Sequence, residues 1–123
     1  NVLRLQTTTT GVSVTGDIKV DSALLSHQEN TVDSAALTVA QVAHATYTAA
    51  FFDFVIKKGT NVRAGTVYSC HDGTNVEFTE TSTVDLGDTS DVSLSVDISG
   101  TNMRLRATVT SDDWIVKSLV RAI

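Results

Sequence analysis

The chain has 123 residues, 41% of them hydrophobic, and a formal charge of −5. That suits one domain with a modest core and is too apolar for a disordered chain. No apolar run approaches the ~20 residues of a membrane-spanning helix. The stretch between Arg63 and Arg104 holds seven acidic side chains and no Lys or Arg, whereas phosphate recognition needs a basic face. Neither membrane insertion nor a nucleic-acid partner is therefore expected.

Thr occurs 19 times and Val 17 times, and Pro is absent. Both residues branch at Cβ, which suits a pleated, half-buried surface better than a helix. Cys70 is the only cysteine, so the fold rests on burial and β ladders, with no internal disulfide. Asn1-Val2-Leu3-Arg4 has no initiator Met and no apolar h-region, which fits a processed product or the end of a longer polypeptide.

Residues 1–25 read as short alternating pieces cut by glycine. Leu3-Arg4-Leu5 leads to four consecutive threonines, then to Gly11-Val12-Ser13-Val14-Thr15-Gly16, then to Ile18-Lys19-Val20. Each piece offers too few apolar side chains to bury a core alone. Such strands are completed by another chain or packed as an edge hairpin on the same subunit, which makes Val12, Val14, Ile18 and Val20 candidate interface residues. Residues 23–29 suit a helical turn or a loop; from Val32 onward the strand pattern takes over, with Leu37 and Val39 on one parity and Val42 and His44 on the other, although the Ala-rich 35–45 segment also suits a short helix.

From residue 46 onward the pattern predicts six strands at intervals of roughly 8–12 residues, as in a sandwich or jelly roll. Consecutive antiparallel hairpins are the simplest topology. In the first strand Phe52, Phe54 and Ile56 oppose Phe51, Asp53 and Val55. Turns fall at Lys58-Gly59-Thr60-Asn61, at His71-Asp72-Gly73-Thr74-Asn75 and at Ser99-Gly100-Thr101-Asn102. Val92, Leu94, Val96 and Ile98 alternate with polar residues, as do Met103, Leu105, Ala107 and Val109. In the last strand Trp114, Val116, Val120 and Ala122 share one face, and Ile115, Leu119 and Ile123 share the other. Two apolar faces need two covers: the partner sheet is one, and a neighbouring subunit, a loop or the 35–45 segment is the other. Ile115, Leu119 and Ile123 thus join the interface candidates.

Little in the chain carries chemistry. His27, His44 and His71 lack metal-ligand spacing with one another or with Cys70. Cys70 and His71 are strand neighbours on opposite faces, and Glu77 and Glu80 also differ in parity, so no nucleophile pair or carboxylate pair forms. Asp85, Asp88 and Asp91 are spaced as weak candidates for a Ca²⁺ site, or as turn caps. Trp114 suits a core or interface plug better than a sugar platform. No catalytic residue, no cofactor and no enzyme activity are expected.

Residues 5–18, Leu-Gln-Thr-Thr-Thr-Thr-Gly-Val-Ser-Val-Thr-Gly-Asp-Ile, resemble stem segments of bacteriophage tail-fibre and appendage proteins, especially those of marine, cyanophage-like viruses. Residues 50–59, 61–67, 71–76, 78–83, 94–97 and 116–123 are similar to the C-terminal head domain of such proteins. The resemblance covers most of the chain and includes no catalytic motif. It implies a virion location, on the surface or a tail appendage, and a homotrimer in contact with other virion proteins. It also implies an antiparallel β-sandwich or jelly-roll-like head (26–123) after a β-rich stem segment (1–25), with a longer fibrous stem before Asn1. Such heads bind a host-surface glycan or protein. The exposed turns then supply candidate receptor contacts, namely Lys58, Asn61, His71, Asp72, Asn75, Thr101 and Asn102. The alternative is an architectural capsid-decoration or appendage subunit with no receptor.

Overall fold

The computed structural model describes residues 4–123, which contain strands and no helix. The strands are β1 (Leu5–Thr8), β2 (Gly11–Val14), β3 (Ile18–Val20), β4 (Ala23–Val32), β5 (Ala36–Ala43), β6 (Ala49–Lys58), β7 (Asn61–His71), β8 (Val76–Ser82), β9 (Ser93–Ser99), β10 (Asn102–Thr108) and β11 (Trp114–Ala122). Leu3, placed by the sequence in the first alternating piece, lies outside the described residues. Six strands form one sheet in the order β3-β4-β11-β6-β7-β8, and three form a second in the order β5-β10-β9. β1 and β2 pair only with each other.

Every pairing is antiparallel, and the two larger sheets face each other across the core. The alternation expected in β11 appears as a strict inward–outward pattern from Trp114 to Ala122. Its inward residues pack with Phe52, Phe54 and Ile56 of β6, with Val67 of β7, and with Met103 and Leu105 of β10. Burying a Phe or Ile side chain contributes about 1.5–3 kcal/mol, so this row supplies most of the cohesion. Gly65 of β7 lies where β8 passes closely overhead; an added Cβ would overlap the Thr81 carbonyl oxygen.

The wrap is jelly-roll-like only in its outer strands. β4 pairs with β11 and β5 with β10, so the β4–β5 connection is nested inside the β10–β11 connection. β6, β7 and β8 then run as a meander, and β9–β10 is a hairpin. The expected run of consecutive hairpins is interrupted at β8–β9 and at β10–β11, where the chain crosses between sheets.

Two local expectations are corrected. Residues 23–29 are neither helical turn nor loop but the first part of β4, and in the Ala-rich 35–45 segment the strand reading holds, as β5, over the helix. Helix propensity is overridden there by pairing with β10 and β11. β5 also hides its period. A bulge opposite Leu105 and Arg106 leaves Val39 unpaired, so Val39 and Ala40 are both buried and the parity flips. The open edge of β5 is satisfied by amide side chains of β4. Gln28 bonds Gln41 in both directions, at 3.1 and 2.9 Å, and Asn30 Nδ2 donates to the Val39 carbonyl at 2.8 Å. Residue 25 lies within β4, and Thr15–Asp17 connects the β1–β2 hairpin to β3.

Candidate interaction face

The outer surface of the six-stranded sheet follows from register. Partners across a ladder share a face, so the outward residues line up in rows. One row reads Ile18, Leu25, Arg121, Phe51 and Tyr68; the next holds His27, Leu119, Asp53 and Thr66. Beyond them lie Val20, Ile123 and Cys70 at one end; towards the other come Glu29, Lys117, Val55 and Ala64, then Thr31, Ile115, Lys57 and Val62 with Leu86. Thirteen large hydrophobic side chains are exposed among the described residues, and seven of them are on this face: Ile18, Val20, Tyr68, Leu86, Ile115, Leu119 and Ile123. Five of these are interface residues expected from the sequence. Val12 and Val14, also expected, lie apart on the β1–β2 hairpin.

Two shallow depressions indent this face. Phe51, Tyr68, Cys70, Glu77 and Thr79 line one; His27, Asp53, Val55, Lys117 and Leu119 line the other. Between them Arg121 Nε donates to Asp53 Oδ2 at 3.1 Å, and Thr66 Oγ1 donates to Asp53 Oδ1 at 2.7 Å. Partial burial works against the Asp53 charge, but the hydrogen bonds from Thr66 and Arg121 outweigh it and hold the carboxyl below its usual value. Arg121 also stacks over Phe51, 5.1 Å from the ring centre, and Phe51 meets Tyr68 edge-on at 6.0 Å. The charges at the centre are thus already paired, which lowers the cost of covering them.

The outer surface of the three-stranded sheet is different. Arg104 pairs bidentately with Asp97 at 2.8 and 2.7 Å, beside Arg106 and Ser95. The six-stranded sheet thus carries most of the exposed apolar side chains, set among charged residues that include Glu29, Lys57 and Lys117, and an apolar cluster rimmed by polar residues marks a contact surface. No protein-family model, no curated protein and no solved structure matches this chain.

The proposed receptor contacts divide between the two ends of the sandwich. Lys58 and Asn61 lie at the β6–β7 end. His71, Asp72, Asn75, Thr101 and Asn102 lie at the opposite end, with His44. Most of these side chains have internal work. Lys58 Nζ reaches Ser111 Oγ at 3.3 Å and sits over the Trp114 ring, and Asn61 Oδ1 accepts the Asp88 N–H at 3.0 Å. His71 Nδ1 accepts the Gly73 N–H at 3.0 Å while Nε2 faces the Tyr47 carbonyl at 2.6 Å, which puts the ring proton on Nε2. His71 meets His44 edge-on at 5.6 Å. Cys70 lines the outer depression and takes no part in this contact.

Asp72 caps its own turn. It accepts the N–H groups of Thr74 at 2.9 Å and Asn75 at 2.7 Å, and the Asn75 side-chain amide at 3.0 Å. The Asn75 backbone and side-chain bonds, followed by Thr74, hold the Asp72 carboxyl down to about 2. The folded state therefore favours the ionised form over the unfolded chain, whose Asp titrates near ~3.9. This stability is fully present above about pH 4 and is lost as pH falls towards 2. In melting curves, wild type is expected to exceed Asp72→Asn by a constant margin above about pH 4.5, closing as pH approaches 2. A margin independent of pH would show that the cap does not act through charge.

The acidic loop does not form a cation site. Among the described residues no group of three or more His, Cys, Asp or Glu side chains converges on a metal position. Asp85 accepts the Thr89 N–H and hydroxyl at 2.8 and 2.7 Å, and Asp88 accepts those of Ser90 at 2.9 and 2.6 Å. Asp91 accepts five donors: N–H and hydroxyl from both Thr110 and Ser111, and the Trp114 indole N–H at 2.9 Å. The Ser111 hydroxyl, followed by Thr110, lowers the Asp91 carboxyl far below the usual carboxylate range. These three residues cap turns and tie loops together. Trp114, 3% exposed, is the core plug expected from the sequence.

Arg63 went unnoticed in the sequence. It points inward from β7 with its side chain 11% exposed. Nη1 donates to the Thr89 hydroxyl at 2.8 Å and to its carbonyl at 3.2 Å, and Nη2 donates to the Val92 carbonyl at 3.0 Å. Nε lies 3.2 Å from Glu80 Oε2, close enough for an ion pair but misaligned for a hydrogen bond. An inward Arg one residue after Val62 of a strand was the available signal.

Proposed function

We propose that this chain is a non-catalytic head domain of a virion appendage, a phage tail fibre or a similar structural protein. It assembles as a homotrimer through the outer face of its six-stranded sheet and offers its loop ends to a host-surface receptor. The observation that carries this reading is the concentration of exposed apolar side chains on that one face, with polar residues on the opposite one. Threefold assembly multiplies weak contacts, which suits adhesion. Light scattering at micromolar concentration tests it. The expected mass is three times the 13.1 kDa of the chain, and a monomer would overturn the reading.

The second reading is an architectural subunit with no receptor. It is favoured by the internal hydrogen bonds that occupy Asn61, His71, Asp72 and Asn75. Adsorption of assembled particles to host cells separates the two. Loss of adsorption on replacing Thr101 and Asn102 with Ala, with the fold intact, supports the receptor role; unchanged adsorption favours the architectural one.

A further inference from the structure

We infer that the β1–β2 hairpin of one copy is what covers the outer sheet face of the next. The inference rests on the self-association proposed above and names the part of the second copy involved. Leu5 pairs with Val14 and Thr7 with Val12, so Leu5, Val12 and Val14 share one face of the hairpin. They are 61%, 64% and 37% exposed. Together with the seven on the sheet, they make ten of the thirteen exposed large hydrophobics of the described residues. The molecule thus carries two apolar surfaces of matching chemistry, and neither covers the other within one chain. All eight strand residues of the hairpin are exposed, and an isolated two-stranded hairpin is at best marginal in water.

Three further features favour this occupant. The hairpin leaves from the rim of the face, because β3 is the edge strand of that sheet and contributes Ile18 and Val20 to it. The connection contains Gly16 at φ +98°, a backbone region that side chains disfavour, so a sharp change of direction is built in there. Residues 5–14 carry no charge, so the hairpin itself brings no ion into the contact, and the Asp53–Arg121 pair beneath is already neutralised. Each copy donates one hairpin and accepts one, a head-to-tail contact that closes into a ring.

The native thiol of Cys70 is exposed on the receiving face and provides the test. Full-length Val12→Cys, mildly oxidised, is expected to form a 12–70 disulfide between chains, seen as a ladder on non-reducing gels and mapped by mass spectrometry. In parallel, the double variant Val12→Asp, Val14→Asp is expected to weaken assembly at least tenfold in dissociation constant while melting as wild type does, since both side chains are exposed. An assembled wild type whose double variant assembles equally well, or a 12–70 link confined within one chain, overturns the hairpin inference and leaves self-association standing. A monomeric wild type overturns both.

Discussion

Leu119→Glu, introduced into the full chain, is expected to raise the dissociation constant of self-association by roughly a hundredfold, about 3 kcal/mol. Leu119 sits midway along β11, on the outer face, 43% exposed and flanked by His27 and Asp53. A carboxylate there remains hydrated in the free subunit but is stripped of water when the face is covered. Arg121 is already committed to Asp53, and covering the face would strip water from both the new carboxylate and the neighbouring Lys117. The fold itself is expected to lose little, since the core side of β11 is untouched. Ser95→Glu is the matched control, adding the same charge on the outer face of the other sheet, opposite Arg106. Sedimentation velocity across a concentration series reads both variants. If both dissociate, or neither does, the six-stranded face is not the contact surface.

Arg63→Ala is expected to cost about 3–5 kcal/mol of stability, the penalty for removing one partner from a buried, hydrogen-bonded charge cluster. The truncation leaves the Val92 carbonyl without its side-chain donor, removes one of two donors to the Thr89 carbonyl, and leaves Glu80 without its counter-charge. Thr89 is fully buried and its hydroxyl donates a hydrogen bond to Asp85, so the Arg63–Thr89–Asp85 chain is what pins the loop between β8 and β9. Arg63→Lys is expected to recover only part of the loss, because an ammonium cannot present a planar fork to these acceptors. Urea unfolding at constant slope, with hydrogen exchange at residues 83–92, checks it. A loss below about 1 kcal/mol would mean that the loop is held by the Asn61 and Asp91 contacts instead.

Much of the fold is legible where partners are close in sequence. The β6–β7, β7–β8 and β9–β10 hairpins read directly, because alternation and turn residues are local signals. Residues 23–43 do not. Their partners lie in β10 and β11, from 59 residues away (Ala43 to Asn102) to 98 (Leu24 to Ala122), and the bulge at Val39 breaks the period that a strand normally displays. The receptor candidates illustrate another limit. Turn residues such as Asp72 and Asn75 look available in the sequence, yet their side chains satisfy the turn that exposes them.

By itself, the sequence determined the all-β class, the two-sidedness of β6 and β11, and the lack of internal covalent staples, since each of these is written in residue type and parity. Only the tertiary structure decided that the outward halves of β3, β4, β6, β7 and β11 merge into a single apolar surface, and that the acidic loop caps turns rather than gathers a cation. The reason is physical: which side chains share a face depends on register between distant strands, and where a carboxylate aims depends on the backbone donors that the folded chain brings within its reach.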